Sequence, residues 1–229
     1  MNQANDTEVQ RRGAFKRWTR LYLQRRYTLL FYTLLFTLVA NPIIAMFGGS
    51  GILIDSLLAA NLLVAVMPFE AKRPRKYVLE AMVLLWVAYP ISSWLGHPTV
   101  SAIILTTWTL IGLSAAAVAL RFAMRSPRVD AEHLFAALSA YLLAGIYFGL
   151  LYFALEQLKP GTFVAASAFS KTGAIYFSFV TLATLGYGDI VPRTDVARGI
   201  AILEAVGGQL FLAVLVARLL SLHSKSTEE

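Results

Sequence analysis

The sequence predicts an all-α membrane protein with six transmembrane helices and one shorter helix that enters the membrane without crossing it. Three observations favour this class: 58% of the 229 residues are hydrophobic, only 14% are charged, and the mean hydropathy is +0.64. A soluble domain carries about 25% charged residues, so this composition cannot build a soluble surface. It also excludes a disordered chain, a collagen-like chain and a nucleic-acid-binding domain.

Six apolar runs are near the length of about 20 residues that a helix needs to cross a bilayer. A seventh run, 173–184, is too short to cross, so six spans and one re-entrant segment is the simplest count. The six long runs cover residues 27–47, 51–69, 77–96, 99–123, 132–155 and 196–222.

The basic residues predict the orientation, because lysine and arginine concentrate on the cytoplasmic side of membrane proteins. With the N-terminus in the cytoplasm, sixteen of the 20 basic residues fall in inside segments. An even number of spans returns the C-terminus to the same side. We therefore expect a multi-pass protein of the cell membrane with both termini cytoplasmic, in which the net charge of +7 needs no nucleic-acid partner. The four basic residues outside are Lys159, Lys171, Arg193 and Arg198.

Four segments follow from this topology. Residues 1–26 are polar and basic without a cleavable-signal pattern, and they form either an amphipathic interfacial helix or an extension of the first span. Residues 27–125 form a four-helix membrane domain and residues 126–222 a second membrane domain. Residues 223–229 are expected to form a short cytoplasmic tail, too short for a nucleotide-binding or calcium-sensing domain. The basic cluster at 72–76 is expected to meet anionic lipids at the cytoplasmic face.

The most informative segment is 184–189, which reads Thr-Leu-Gly-Tyr-Gly-Asp and lies between the short apolar run and the last span. It resembles the selectivity filter of the potassium channel family, and its flanks at 176–183 and 190–192 are similar to the same family. The resemblance covers about residues 132–222, as outer helix, pore helix, filter and inner helix. The chain resembles prokaryotic potassium channels that lack an arginine-rich voltage sensor.

The resemblance implies a homotetramer around a fourfold axis, since each chain holds one filter segment. In such a filter, backbone carbonyls replace the water shell of K⁺. The carbonyls can face one way only if residues alternate between ordinary and left-handed backbone, which glycine adopts without a clash. The predicted filter residues are Thr184, Leu185, Gly186, Tyr187 and Gly188, with K⁺ at the first four.

Three further residues are candidates to support the filter: Asp189 at its end, Tyr176 in the short helix and Glu204 in the last span. A carboxylate inside the membrane is costly and is therefore a functional candidate by default. Glu204 either faces the short helix and stabilises the surroundings of the filter, or forms a purely structural pair with Arg198 or a hydroxyl group.

Gly207 and Gly208 interrupt the last span. In the family a glycine here can act as a hinge of the inner helix, and Gly208 matches that position best. Glycines in membrane helices also permit close packing, so both interpretations stay open. The candidates to line a cavity below the filter are Gln209, Leu212 and Val216.

The fourth span has no basic residue between Thr99 and Leu120. A voltage sensor needs basic residues repeated through this span, so we expect little or no sensor-based voltage dependence. The carboxylates Asp55 and Glu80, in the second and third spans, are interpreted as side chains solvated at the membrane interface.

The sequence thus predicts a potassium-selective channel with K⁺ as the permeant ion and no cofactor. The alternatives are a non-selective cation channel and an ion-coupled secondary transporter, although a transporter would show paired internal repeats. An enzyme is not expected, because the chain has no cysteine and its three histidines lie on different loops. The histidines are His97, His133 and His223.

Overall fold

The computed structural model describes residues 25–47, 51–66, 72–125, 130–166 and 168–226. Within these ranges the chain forms seven helices and two short strands. The predicted interfacial segment therefore lies almost wholly outside the described residues, as does the end of the predicted tail. The elements are α1 (Arg26–Met46), α2 (Gly51–Val66), α3 (Lys72–Trp94), α4 (Pro98–Arg125), α5 (Ala131–Leu158), β1 (Phe163–Ala165), α6 (Lys171–Leu182), β2 (Ile190–Pro192) and α7 (Asp195–Ser226).

Four of these helices, α1, α4, α5 and α7, are long and apolar enough to cross a membrane. The apolar parts of α2 and α3 are shorter, at Asp55–Val66 and Leu79–Trp94. With 16 residues, α2 reaches about 24 Å, less than the roughly 30 Å of a hydrocarbon core. The chain is a multi-pass helical membrane protein, and six spans stays a prediction.

Helix α5 lies at the centre of the packing, in contact with α1, α4, α6 and α7. Its closest partner is α4, where the ring of Tyr147 lies against Gly112; a Cβ atom at Gly112 would be 2.3 Å from that ring. On the side of α5 that faces α6, Gly149 lies against the backbone of α6. A Cβ atom at Gly149 would lie 2.5 Å from the Cα atom of Ile175. Small residues thus let α5 hold its neighbours at close range.

Side-chain caps begin both α5 and α6. The Asp130 carboxylate accepts a 3.0 Å hydrogen bond from the backbone N–H of His133, and this bond, together with one from the His133 ring, holds the pKa of Asp130 below its ordinary value. The Ser170 hydroxyl accepts a 3.0 Å bond from the N–H of Gly173. Both contacts satisfy donors that the first helical turn leaves without a partner.

The two short strands are a feature that the predicted all-α class did not contain. They pair antiparallel, with Val164 opposite Val191, and three residues each are too few for a strand pattern to stand out. The Glu156 carboxylate holds the preceding turn, accepting bonds from the N–H groups of Gly161 at 2.7 Å and Phe163 at 2.9 Å. The pair closes a loop whose middle is α6 and the 184–189 segment.

Candidate functional site

The 184–189 segment has an alternating backbone. Positive φ angles occur at Thr184 (56°), Gly186 (59°) and Gly188 (76°), while Leu185 and Tyr187 between them are not positive. This is the alternation that a row of carbonyls facing one way requires. The sequence did not indicate the positive φ angle of Thr184, because a β-branched residue disfavours the left-handed region.

Thr184 is held in this conformation by hydrogen bonds on both sides. A non-glycine residue in the left-handed region costs about 1–3 kcal/mol and persists only where the surroundings fix it. The N–H of Thr184 donates to Thr181 O at 3.0 Å, and the N–H of Leu185 donates to Val180 O at 2.9 Å. From α7, the Gln209 amide nitrogen donates to Thr184 Oγ1 at 3.1 Å. The start of the segment is thereby fixed to both α6 and α7.

The other end of the segment is tied to α6. Tyr176 Oη donates a 2.8 Å hydrogen bond to Asp189 Oδ2, and this bond to a carboxylate raises the pKa of the Tyr176 hydroxyl. Both side chains are exposed in the single chain. Tyr187 and Leu185 are exposed as well, at 66% and 56%.

Glu204 lies buried between three helices, with 1% of its surface exposed. Its Oε2 atom accepts a 2.6 Å hydrogen bond from Tyr152 Oη on α5. Its Oε1 atom contacts the Ser178 hydroxyl on α6, which also lies 2.7 Å from Gly145 O. The structure therefore brings Glu204 to two hydroxyl groups, one of them on the short helix.

Arg198, the charged partner considered for Glu204, makes other contacts. Its Nε atom donates to Pro192 O at 3.2 Å, and its guanidinium lies 3.6 Å from Asp195.

The two adjacent glycines of α7 differ in their surroundings. A Cβ atom at Gly208 would lie 2.5 Å from the carbonyl oxygen of Leu182, whereas one at Gly207 would meet nothing within 4 Å. Gly208 therefore allows α7 to approach the end of α6, and this approach brings Gln209 within reach of Thr184. Leu212 and Val216, the other predicted cavity residues, are exposed along α7 in the single chain.

The surroundings of Asp55 differ from the predicted interfacial position, in which water would solvate its side chain. Its carboxylate is 2.5 Å from Lys171 Nζ, and both side chains are mostly buried, at 21% and 17% exposed. No local pattern indicates this contact, because the two residues are 116 positions apart. Glu80 is exposed on α3. Among the described residues, no group of three or more histidine, aspartate or glutamate side chains could hold a metal ion.

Comparison with known proteins gives matches in the second half of the chain. Residues 138–225 match a family model described as "Ion channel". The inward rectifier potassium channel Kirbac3.1 of Paramagnetospirillum magnetotacticum is 34% identical over 91 residues, which is 38% of this chain and 28% of that protein. Two pore potassium channel c of Oryza sativa subsp. japonica is 37% identical over 91 residues, covering 39% and 18%.

A third relative, two-pore potassium channel 4 of Arabidopsis thaliana, is 45% identical over 56 residues, covering 24% of this chain and 19% of that protein. The chain thus spans less than a third of the length of each relative. No solved structure matches it. The predicted resemblance to the potassium channel family is confirmed by these matches, and all three relatives are channels, not enzymes.

Proposed function

We propose that the protein is a homotetrameric channel that conducts K⁺ passively through a filter formed by residues 184–188 of four chains. The observation that carries this proposal is the alternating backbone at Thr184, Gly186 and Gly188, in a segment whose ends are fixed to α6 and α7. A backbone of this kind supplies the carbonyl oxygens that replace the hydration shell of K⁺. K⁺ is the permeant ion, and no cofactor takes part.

The ion sites follow from the order of the residues. The carbonyls of Thr184, Leu185, Gly186 and Tyr187 form stacked rings around the fourfold axis, and the Thr184 hydroxyl adds an oxygen at the inner end. Asp189, bonded to Tyr176, stands at the outer mouth, where its charge attracts cations. Each chain supplies one quarter of every ring, so the site is incomplete in a monomer.

The exposed face of α7 supports the tetramer. Large apolar side chains remain exposed along this helix in the single chain, among them Val206 at 52%, Leu210 at 61% and Val214 at 52%. Exposed apolar faces of this size indicate contact with protein or lipid. In the proposed assembly, α7 lines the pore and packs against its copies, with both termini in the cytoplasm.

We also propose that the conduction of this channel depends little on voltage. Helix α4 matches the position of a voltage-sensing span, and its basic residues are confined to its end, at Arg121 and Arg125. Moving a charge through the membrane potential yields about 2.3 kcal/mol per 100 mV, and α4 has no basic residue between Thr99 and Leu120 that could make that movement.

The test combines assembly with transport. The purified protein, reconstituted into liposomes loaded with K⁺, should release K⁺ when a potential drives it and should have the native mass of four chains. Empty liposomes are the control. A monomeric or dimeric mass, or a K⁺ release equal to that of the empty liposomes, would overturn the proposal.

A further inference from the structure

The first residue of α6 is a lysine, which local helix chemistry disfavours. The N-terminus of a helix carries a partial positive charge that destabilises a cation in the first turn. The Ser170 hydroxyl already caps this helix, so Lys171 adds nothing to its start. Its placement therefore depends on a contact outside α6.

That contact is made by helices α2, α3 and α5. The Lys171 ammonium lies 2.5 Å from Asp55 Oδ1 on α2, 4.7 Å from the ring centre of Tyr89 on α3 and 5.9 Å from that of Phe153 on α5. Aromatic faces within about 6 Å attract a cation. A carboxylate and two rings thus enclose the ammonium where α6 meets α2, α3 and α5.

The second residue of α6 is tied to α1. Thr172 Oγ1 donates a 3.2 Å hydrogen bond to Asn41 Oδ1, and Asn41 is buried at 4% exposed. Side chains of α1 and α2 therefore hold the start of α6 at two consecutive positions. Its other end leads directly into Thr184.

We propose that Asp55 is a positioning residue for the filter: through its contact with Lys171, it couples the start of α6 to α2. Helix α6 has 12 residues and is about 18 Å long, so a shift of its start moves its end by a similar distance. This proposal rests on the proposed function for its effect on conduction and on the contacts above for its effect on α6.

The Asp55–Lys171 contact predicts an asymmetric response to substitution. Removing one partner of a buried ion pair leaves an uncompensated charge, whereas exchanging the two charges keeps the pair. We expect Asp55→Asn and Lys171→Met each to loosen α6, and the double exchange Asp55→Lys with Lys171→Asp to restore much of the loss. Asp55→Glu should behave like the unchanged protein. Asp195→Asn is the matched control, because the Asp195–Arg198 pair is exposed.

Two readouts separate this proposal from the proposed function. Hydrogen exchange of the α6 amides in the reconstituted protein requires no conduction; Asp55→Asn should raise it about fivefold or more, and Asp195→Asn should not. In planar bilayers, the open probability should fall by a similar factor in Asp55→Asn and in Lys171→Met. It should recover in the variant that carries both Asp55→Lys and Lys171→Asp. The proposal would be overturned if Asp55→Asn left hydrogen exchange of the α6 amides unchanged. It would also be overturned if the variant with both charges swapped had no higher open probability than the single variants. A protein that does not conduct K⁺ while α6 exchange responds as expected would overturn the proposed function alone.

Discussion

Tyr152 on α5 donates a 2.6 Å hydrogen bond to the carboxyl group of Glu204 on α7, and the other oxygen of that group contacts Ser178 on α6. One carboxyl group thus joins the outer, short and inner helices of the proposed pore. Both Tyr152 and Ser178 are fully buried, so the carboxyl group supplies a hydrogen-bond partner at a place that bulk water does not reach.

Replacing Glu204 with alanine should destabilise the protein. The buried Tyr152 hydroxyl would lose its hydrogen bond, at about 1–3 kcal/mol, whereas the Ser178 hydroxyl would keep the carbonyl oxygen of Gly145 as a partner. Glu204→Gln keeps the shape and an oxygen acceptor and should cost much less. Thermal unfolding in detergent measures both, with the exposed Asp195→Asn variant as control. If Glu204→Ala unfolds at the temperature of the unchanged protein, the three-helix contact is not a source of stability.

Replacing Gln209 with leucine should weaken the inner end of the filter. The change removes the 3.1 Å bond to Thr184, worth about 0.5–1.5 kcal/mol, that helps hold this residue at a positive φ angle. A ligand that binds the folded state raises its stability, so the rise in unfolding temperature on replacing Na⁺ with K⁺ should shrink. Leu212→Ala, one turn further along α7, should leave the rise intact. An undiminished rise in Gln209→Leu would show that the bond does not support the ion sites.

Alanine at Gly186 or Gly188 should abolish K⁺ selectivity through the backbone alone. In the single chain a Cβ atom at either position meets nothing within 4 Å, but a left-handed conformation costs an ordinary residue about 1–2 kcal/mol. The ratio of K⁺ to Na⁺ permeability measures the effect. Gly199→Ala is the control, since its Cβ also has open space and its φ angle is not positive. Selectivity retained in Gly186→Ala and Gly188→Ala would mean that this segment is not the filter.

Gly208 and Gly207 form a natural pair of experiments. Alanine at Gly208 would bring a Cβ atom to 2.5 Å from the backbone oxygen of Leu182, so α7 must move away from α6. Alanine at Gly207 has open space. We expect Gly208→Ala, but not Gly207→Ala, to lower both the K⁺ flux and the stability of the protein. The loss of stability should be about 1–3 kcal/mol, the usual cost of an overpacked contact. Equal effects from the two variants would favour a hinge role for both glycines over close packing at Gly208.

Hydropathy predicted the membrane helices well where the apolar run was long. The run predicted at 132–155 corresponds to Ala131–Leu158, because a helix in lipid must satisfy its own backbone and continues until polar residues end it. The glycines at 186 and 188 likewise indicated the left-handed positions. These predictions depend only on residues adjacent in the sequence.

The contacts that hold the segment could not be predicted in the same way. Glu204 is 52 positions from Tyr152 and 26 from Ser178, and no local pattern indicates which hydroxyl a carboxyl group will meet. Thr184 adopts a positive φ angle against its own preference, because Gln209 and α6 outweigh that preference. The strands β1 and β2 depend on a pairing between distant residues. Tertiary contacts determined each of these features.

The most direct test of K⁺ selectivity is the reversal potential in planar bilayers with a high K⁺ concentration on one side and a low one, balanced by Na⁺, on the other. We expect a current that reverses near the K⁺ equilibrium potential in the unchanged protein and near zero in Gly186→Ala, with both proteins folded and tetrameric. A reversal potential that does not follow the K⁺ gradient in the unchanged protein would contradict the proposed selectivity.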